Sequence, residues 1–168
     1  MRRDLEGTIF AYIPDKEFVL KAHAAGVGGK VSGLLGGKTD NIHGAPVQID
    51  DAEVLCLSNG EGIYVRSRLP VRYGKMARIR VGNVEIVVTE QLSQQSFDDR
   101  AFLLTGADIN QCRIVGLKSS AHFRSFFEPR AKAIVTTDPP GIQTANFKQL
   151  TFQKVRRPIY PLDPDMEY

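Results

Sequence analysis

Thr8-Ile9-Phe10-Ala11-Tyr12-Ile13 runs straight into Pro14-Asp15 and then into Lys16-Glu17-Phe18-Val19-Leu20-Lys21-Ala22-His23-Ala24-Ala25-Gly26. The first six residues are apolar and rich in strand formers, and Pro14-Asp15 ends the run. Asp15 is a natural helix N-cap, so a helix is predicted over 16–25 with Gly26 as its stop. Phe18, Ala22 and Ala25 fall on one face of that helix. A strand followed at once by a capped amphipathic helix is the opening of an α/β unit.

Outward from this unit the chain turns to β structure. The glycine-rich stretch from Gly26 to Gly37 holds a possible strand over 31–35, and 41–46 reads as a loop. Val47 to Leu57 has strand-like apolar density. Ser58-Asn59-Gly60 and Glu61-Gly62 are turn material, with a short strand over 63–66. Gly82-Asn83 separates Ala77–Val81 from Val84–Thr89, the pattern of a tight hairpin. Ser96 and Asp99 form a capping-box pattern for a helix over 97–104 that Gly106 ends. Arg113 to Leu117 reads as a strand. Ser119 or Ser120 then caps a helix to Glu128, with Phe123, Phe126 and Phe127 on its buried face and Pro129 blocking its extension. A last strand is predicted over 133–137, before an extended, proline-rich end. The order predicts a mixed α/β (α+β) single domain: a mixed β-sheet flanked by a few helices.

Composition agrees. The 168 residues are 42% hydrophobic and 24% charged, ordinary for a globular domain, and wholesale disorder is excluded. Lys and Arg total 22 against 19 for Asp and Glu, a net charge of +3 that argues for neither nucleic acid nor a membrane surface. No apolar run approaches the ~20 residues of a membrane span, and no signal-peptide pattern follows Met1. A charged start that passes at once into an apolar run is how a fragment cut from a longer protein can look. Two separated cysteines, Cys56 and Cys112, form no metal cluster or disulfide framework, and suggest a reducing, cytoplasmic setting.

Ser32-Gly33-Leu34-Leu35-Gly36-Gly37-Lys38-Thr39 imitates a phosphate-binding loop, but Ser32 stands where its first glycine is required and no helix can follow through Pro46. A glycine-rich bend is the better reading. His23, His43 and His122 share no helix turn and form no zinc motif. His23 suits the C-terminal end of its helix, whereas His43 lies in a loop. Lys154-Val155-Arg156-Arg157 is too narrow for a nucleic-acid face. The most informative segment is Lys118-Ser119-Ser120-Ala121-His122-Phe123-Arg124. A helix N-terminus at Ser119 or Ser120 would gather free N–H groups, two hydroxyls, an imidazole and two cations around an anionic substrate group. Ordinary capping with solvated charges is the alternative.

Five segments together resemble one family: Ala22–Gly28, Leu35–Lys38, His43–Pro46, Lys118–Arg124 and Arg156–Asp163. In this order they are similar to the C-terminal domain of the MlrC-type metallopeptidases, named for the enzyme that degrades linearised microcystin. The resemblance spans about residues 13–163. Gln95-Ser96-Phe97-Asp98 departs from the family's Gln-Pro-Phe-Asp, and Asp138-Pro139-Pro140-Gly141 from its Asp-Thr-Pro-Gly. The resemblance implies a longer zinc-dependent amide hydrolase whose metal ligands lie in an N-terminal catalytic domain. The present chain would then be the accessory domain, carrying no cofactor and no catalytic residue of its own. Lys118, Ser119, Ser120, His122 and Arg124 would face the shared cleft as contacts to a peptide or small amide substrate. A bare docking surface also predicts some self-association. The competing reading is a stand-alone binding or regulatory domain. A weaker one is an enzyme working through His43 and His122 with Asp40, Glu128 or Asp138.

Overall fold

A computed structural model describes residues 5–64, 67–93, 97–139 and 146–166. Strand β1, Thr8–Pro14, leads into helix α1, Lys16–Ala25. The Asp15 side chain accepts the Phe18 N–H at 3.0 Å, and Gly26 closes the helix at φ +74°, as the local signals predict. Strands β2 (Lys30–Leu35), β3 (Val47–Ser58), β6 (Met76–Val81) and β7 (Val84–Thr89) form the middle of the chain. Between them a small separate sheet pairs β4, Glu61–Ile63, with β5, Pro70–Arg72. Helix α2 (Arg100–Leu103), strand β8 (Ile114–Leu117) and helix α3 (Arg124–Phe127) follow.

The main sheet has the order β2-β3-β6-β7-β1-β8. Neighbours are antiparallel from β2 to β7, whereas β7, β1 and β8 run parallel. The β6–β7 hairpin pairs Val81 with Val84. Its two-residue turn needs positive φ at its first position, which Gly82 takes at +57°. Alternation along the strands divides the core between the two faces of the sheet. Ala77, Ile79 and Val88 meet Phe18, Val19 and Ala22 of α1. Met76, Val87, Ile9 and Ala11 meet Phe102, Ile109 and Phe127 on the other side. The first cluster covers the antiparallel half, and the second lies under the parallel strands.

Several sequence expectations are corrected. On α1, Val19 is buried and Ala25 is exposed. Glu61 and Gly62, expected as a turn, form a strand with Ile63, because Pro70–Arg72 comes back to pair with them; Val65 and Arg66 lie outside the described residues. The helix expected over 97–104 is reduced to Arg100–Leu103, with no side-chain cap from Asp99. Asp98 itself accepts the Arg100 N–H at 2.9 Å, and Phe97 packs outward against other rings, so neither is free to extend the helix. Ser96 lies outside the described residues. The helix expected from Ser119 or Ser120 begins only at Arg124, with Phe123 at its N-cap and no capping side chain. A single turn suffices to bring the three phenylalanines to the core, and the polar residues before it have nothing apolar to bury.

The strand expected over 133–137 pairs with no described strand. Strand propensity expresses fit to a half-buried pleated surface, and here Val135 is 84% exposed. The glycine-rich segment is structural. A side chain at Gly37, φ +57°, would come within 2.6 Å of the Ala45 carbonyl carbon. Lys38, the residue in the phosphate-loop lysine's place, is bound to the buried Asp15 carboxylate at 2.9 Å and to Glu17 at 3.1 Å. Burial works to lower the Lys38 pKa, but those two carboxylates outweigh it and raise it. His23 Nε2 lies 3.0 Å from the Met76 carbonyl, so it ties α1 to the sheet.

Candidate functional site

Side by side, the carboxyl ends of β7, β1 and β8 form one rim, where ligand-binding loops of open parallel sheets gather. The loop after β7 is fixed from below. Gln91 N–H donates to the Tyr73 carbonyl at 2.9 Å, and the Tyr12 hydroxyl donates to the Ser93 carbonyl. Glu90 beside them is held below the ordinary carboxylate range by the Lys75 N–H and by Lys16. Under the loop a chain of rings leads outward. Tyr12 and Tyr73 lie 4.9 Å apart, and Tyr64 meets Tyr73 hydroxyl to hydroxyl at 3.3 Å. Phe97 stands edge-on to Tyr64 at 5.6 Å and to His122 at 5.1 Å. Burial, then the Tyr64 hydroxyl, push the Tyr73 phenol far above its usual value, so it stays protonated. Burial, then the charge of Asp98, raise Asp99.

The five residues singled out in the sequence lie on the loop and turn after β8. Lys118 N–H reaches back to the Ala11 carbonyl at 3.4 Å, and Lys118, Ser120 and His122 are exposed, with Ser119 half-buried. Arg124 is already occupied: its guanidinium meets Glu128 at 3.3 Å and lies 5.2 Å from the Phe123 ring centre. Because α3 starts at Arg124 and is one turn long, the serines head no helix. The expected anion cradle is therefore not a helix terminus. What the fold does bring together is an exposed imidazole against the edge of a phenyl ring, with an ammonium group on the same loop. Such a ledge can contact a carboxylate and an apolar side chain. Phe97 and its tyrosine support come from remote positions. Their one sequence signal was the Phe97-Asp98 pair kept from the resembled Gln-Pro-Phe-Asp motif.

Among the described residues no three or more His, Cys, Asp or Glu cluster so as to hold a metal ion such as zinc. One pair, His43 Nδ1 and Asp40 Oδ2, lies 3.1 Å apart. The other Asp40 oxygen accepts the N–H groups of Ile42 and His43 at 2.7 Å each, which lowers its pKa. Two donors fall short of the three protein ligands a catalytic zinc needs, so these residues do not fit it. Glu128 is engaged by Arg124, not by a histidine. At the amino ends of the parallel strands, a cleft of about 370 Å³ is lined by Thr8, Arg78, Glu85, Asp108 and Cys112. There burial, then Glu85 and Asp108, raise the Cys112 thiol, the opposite of activation. Among the described residues no helix is long and apolar enough to cross a membrane.

The architecture is thus a mixed α/β domain with a loop ledge at the carboxyl ends of its parallel strands. The chain belongs to the family described as MlrC C-terminus, whose sequence model matches residues 1–154. Its fold is also that of a proposed metallopeptidase from Mesorhizobium sp. BNC1, in a crystal structure at 2.13 Å. The TM-score is 0.78 at 23% identity, with 96% of this chain and 32% of that one covered. The chain therefore spans about a third of that protein's length, and the likeness is one of fold. No curated protein matches the sequence.

Proposed function

We propose that this chain is the C-terminal accessory domain of a longer MlrC-like zinc metallopeptidase, a cytoplasmic hydrolase of peptide or small amide bonds in the manner of the microcystin-degrading enzymes. The family match over residues 1–154 carries this reading. One observation supports it: the fold covers only 32% of a proposed metallopeptidase. In this reading the metal and the catalytic residues belong to an N-terminal domain. The present chain supplies a wall of the cleft through the ledge after β8. Lys118 holds a substrate carboxylate by a charge-assisted hydrogen bond. His122, backed by Phe97, donates to a peptide carbonyl, and Ser119 and Ser120 add hydroxyl contacts. Arg124 contributes only where substrate draws it from Glu128.

Steady-state kinetics of the longer enzyme test this assignment. Lys118→Ala and His122→Ala lower kcat/KM by about 10-fold or more each, the value of about 1.4 kcal/mol of lost transition-state binding. The exposed positions leave the thermal midpoint unchanged. Wild-type kinetics in both variants contradict the assignment.

A further inference from the structure

The described residues beyond Pro129 contribute almost nothing to the core. Over 132–139 no described residue makes a hydrogen bond of any kind, although Ile134, Val135, Thr136 and Thr137 are β-branched strand formers. Farther on, Phe147, Leu150, Phe152 and Ile159 are at least 40% exposed, and Tyr160 is 64% exposed. Isolated surface hydrophobics need no explanation, but a run of them along one extended segment marks an interaction surface.

The segment is nevertheless shaped. At its root the Arg130 guanidinium sits 4.0 Å from the Phe126 ring centre and donates to the Phe126 carbonyl at 2.6 Å. At its end the Asp163 carboxylate takes the Arg157 guanidinium and the Ile159 N–H, while Asp163 N–H returns to the Ile159 carbonyl at 2.9 Å. This clasp holds Ile159 and Tyr160 at an outward turn. Ordering made in advance lowers the entropic cost of docking. The described part of the segment carries six Lys and Arg (Arg130, Lys132, Lys148, Lys154, Arg156, Arg157) against three Asp (Asp138, Asp163, Asp165).

We infer that residues 130–139 and 146–163 form a docking arm for the catalytic domain of the same longer chain. Residues 133–137 add as a strand to a free sheet edge of that domain. Phe147, Phe152 and Tyr160 seat in an apolar groove with an acidic rim. The inference rests on the reading of this chain as part of a longer enzyme. The family match and the extent of the likeness favour that domain as the occupant: the chain belongs to a C-terminal family over residues 1–154, and the matched fold covers 32% of its protein, leaving about two-thirds of that chain outside the match.

Amide hydrogen exchange tests the arm, measured on the 168-residue chain and on the intact longer enzyme, with chelator-sensitive peptide hydrolysis of the latter as a companion readout. We expect amides 134–137 to exchange freely in the 168-residue chain and to be protected about 100-fold or more in the intact enzyme. Val135→Asp with Phe152→Asp abolishes that protection while Ile79 and Val87 amides stay protected. Free exchange at 134–137 in an intact enzyme that hydrolyses peptide overturns the arm and leaves the functional reading standing. Protection in an intact protein with no metal-dependent hydrolysis keeps the arm and overturns the functional reading. Protection that arises in the 168-residue chain as its concentration rises makes a second copy the occupant, and overturns the inference.

Discussion

The described residues of 8–127 and those of 130–163 use their apolar side chains differently. In the first region, period-two and helical patterns both find a partner: Val87 and Val88 point to opposite faces of the sheet and both are fully buried. In the second, the same kinds of residue, Val135, Phe147 and Phe152, face outward. The difference teaches that hydrophobicity in this chain serves two interfaces. One is the internal core, and the other is the docking surface proposed above.

The sharpest contrast is between two phenylalanines. Phe102 is fully buried against Phe127, with ring centres 6.4 Å apart. Phe102→Ala is expected to cost about 3–5 kcal/mol of unfolding free energy. Phe152→Ala in the 168-residue chain costs less than about 0.5 kcal/mol. Denaturant titration of both variants measures the gap, and equal losses would erase the distinction between core and arm.

Next in size is Asp15, which serves the core three times over. Its carboxylate caps α1, accepts the Gly36 N–H at 2.9 Å and holds Lys38. Asp15→Ala removes the cap and leaves a half-buried ammonium without its best partner. The expected loss is about 2 kcal/mol, read by the same titration. The sign of its pH dependence is set by Lys38, whose raised pKa makes the pair's contribution complete below the ordinary lysine value and lost as pH climbs through the folded one. Stability of the wild-type chain therefore falls more steeply in strong alkali than that of Asp15→Ala.

The smallest effect is local to the arm. Asp163 is held down at about 2 by the Arg157 hydrogen bond and the Ile159 N–H. A depressed carboxyl stabilises the clasp above its ordinary value near ~3.9 and releases it as pH falls through about 2. Carbon-detected NMR titration in the wild type should give that low midpoint. Arg157→Gln should return it toward the ordinary value with no change in global unfolding. An ordinary midpoint in the wild type would dissolve the clasp.

The sequence was most readable where signals are local. Asp15 and Gly26 bound α1 because capping and left-handed closure act within a few residues. Gly82-Asn83 marked its hairpin for the same reason. It was least readable where a partner decides. Pro70–Arg72 becomes a strand only because Glu61–Ile63 lies beside it. Residues 133–137 carry strand chemistry but pair with no described strand. The candidate site divides in the same way. Lys118, Ser119, Ser120 and His122 were visible as polar groups after a strand. The shelf behind His122, built from Phe97, Tyr64 and Tyr73, is assembled by tertiary contacts that no local pattern announces.

The account's central claim is that this fold carries a binding wall and a docking arm, while the metal chemistry lies outside it. Its most direct test is the zinc content of the purified 168-residue chain, with peptide hydrolysis assayed on the same sample with and without chelator. The account predicts no stoichiometric zinc and no chelator-sensitive hydrolysis. Near one zinc per chain with hydrolysis that chelator abolishes would contradict it, and would place a metal site on ligands that the present geometry does not bring together.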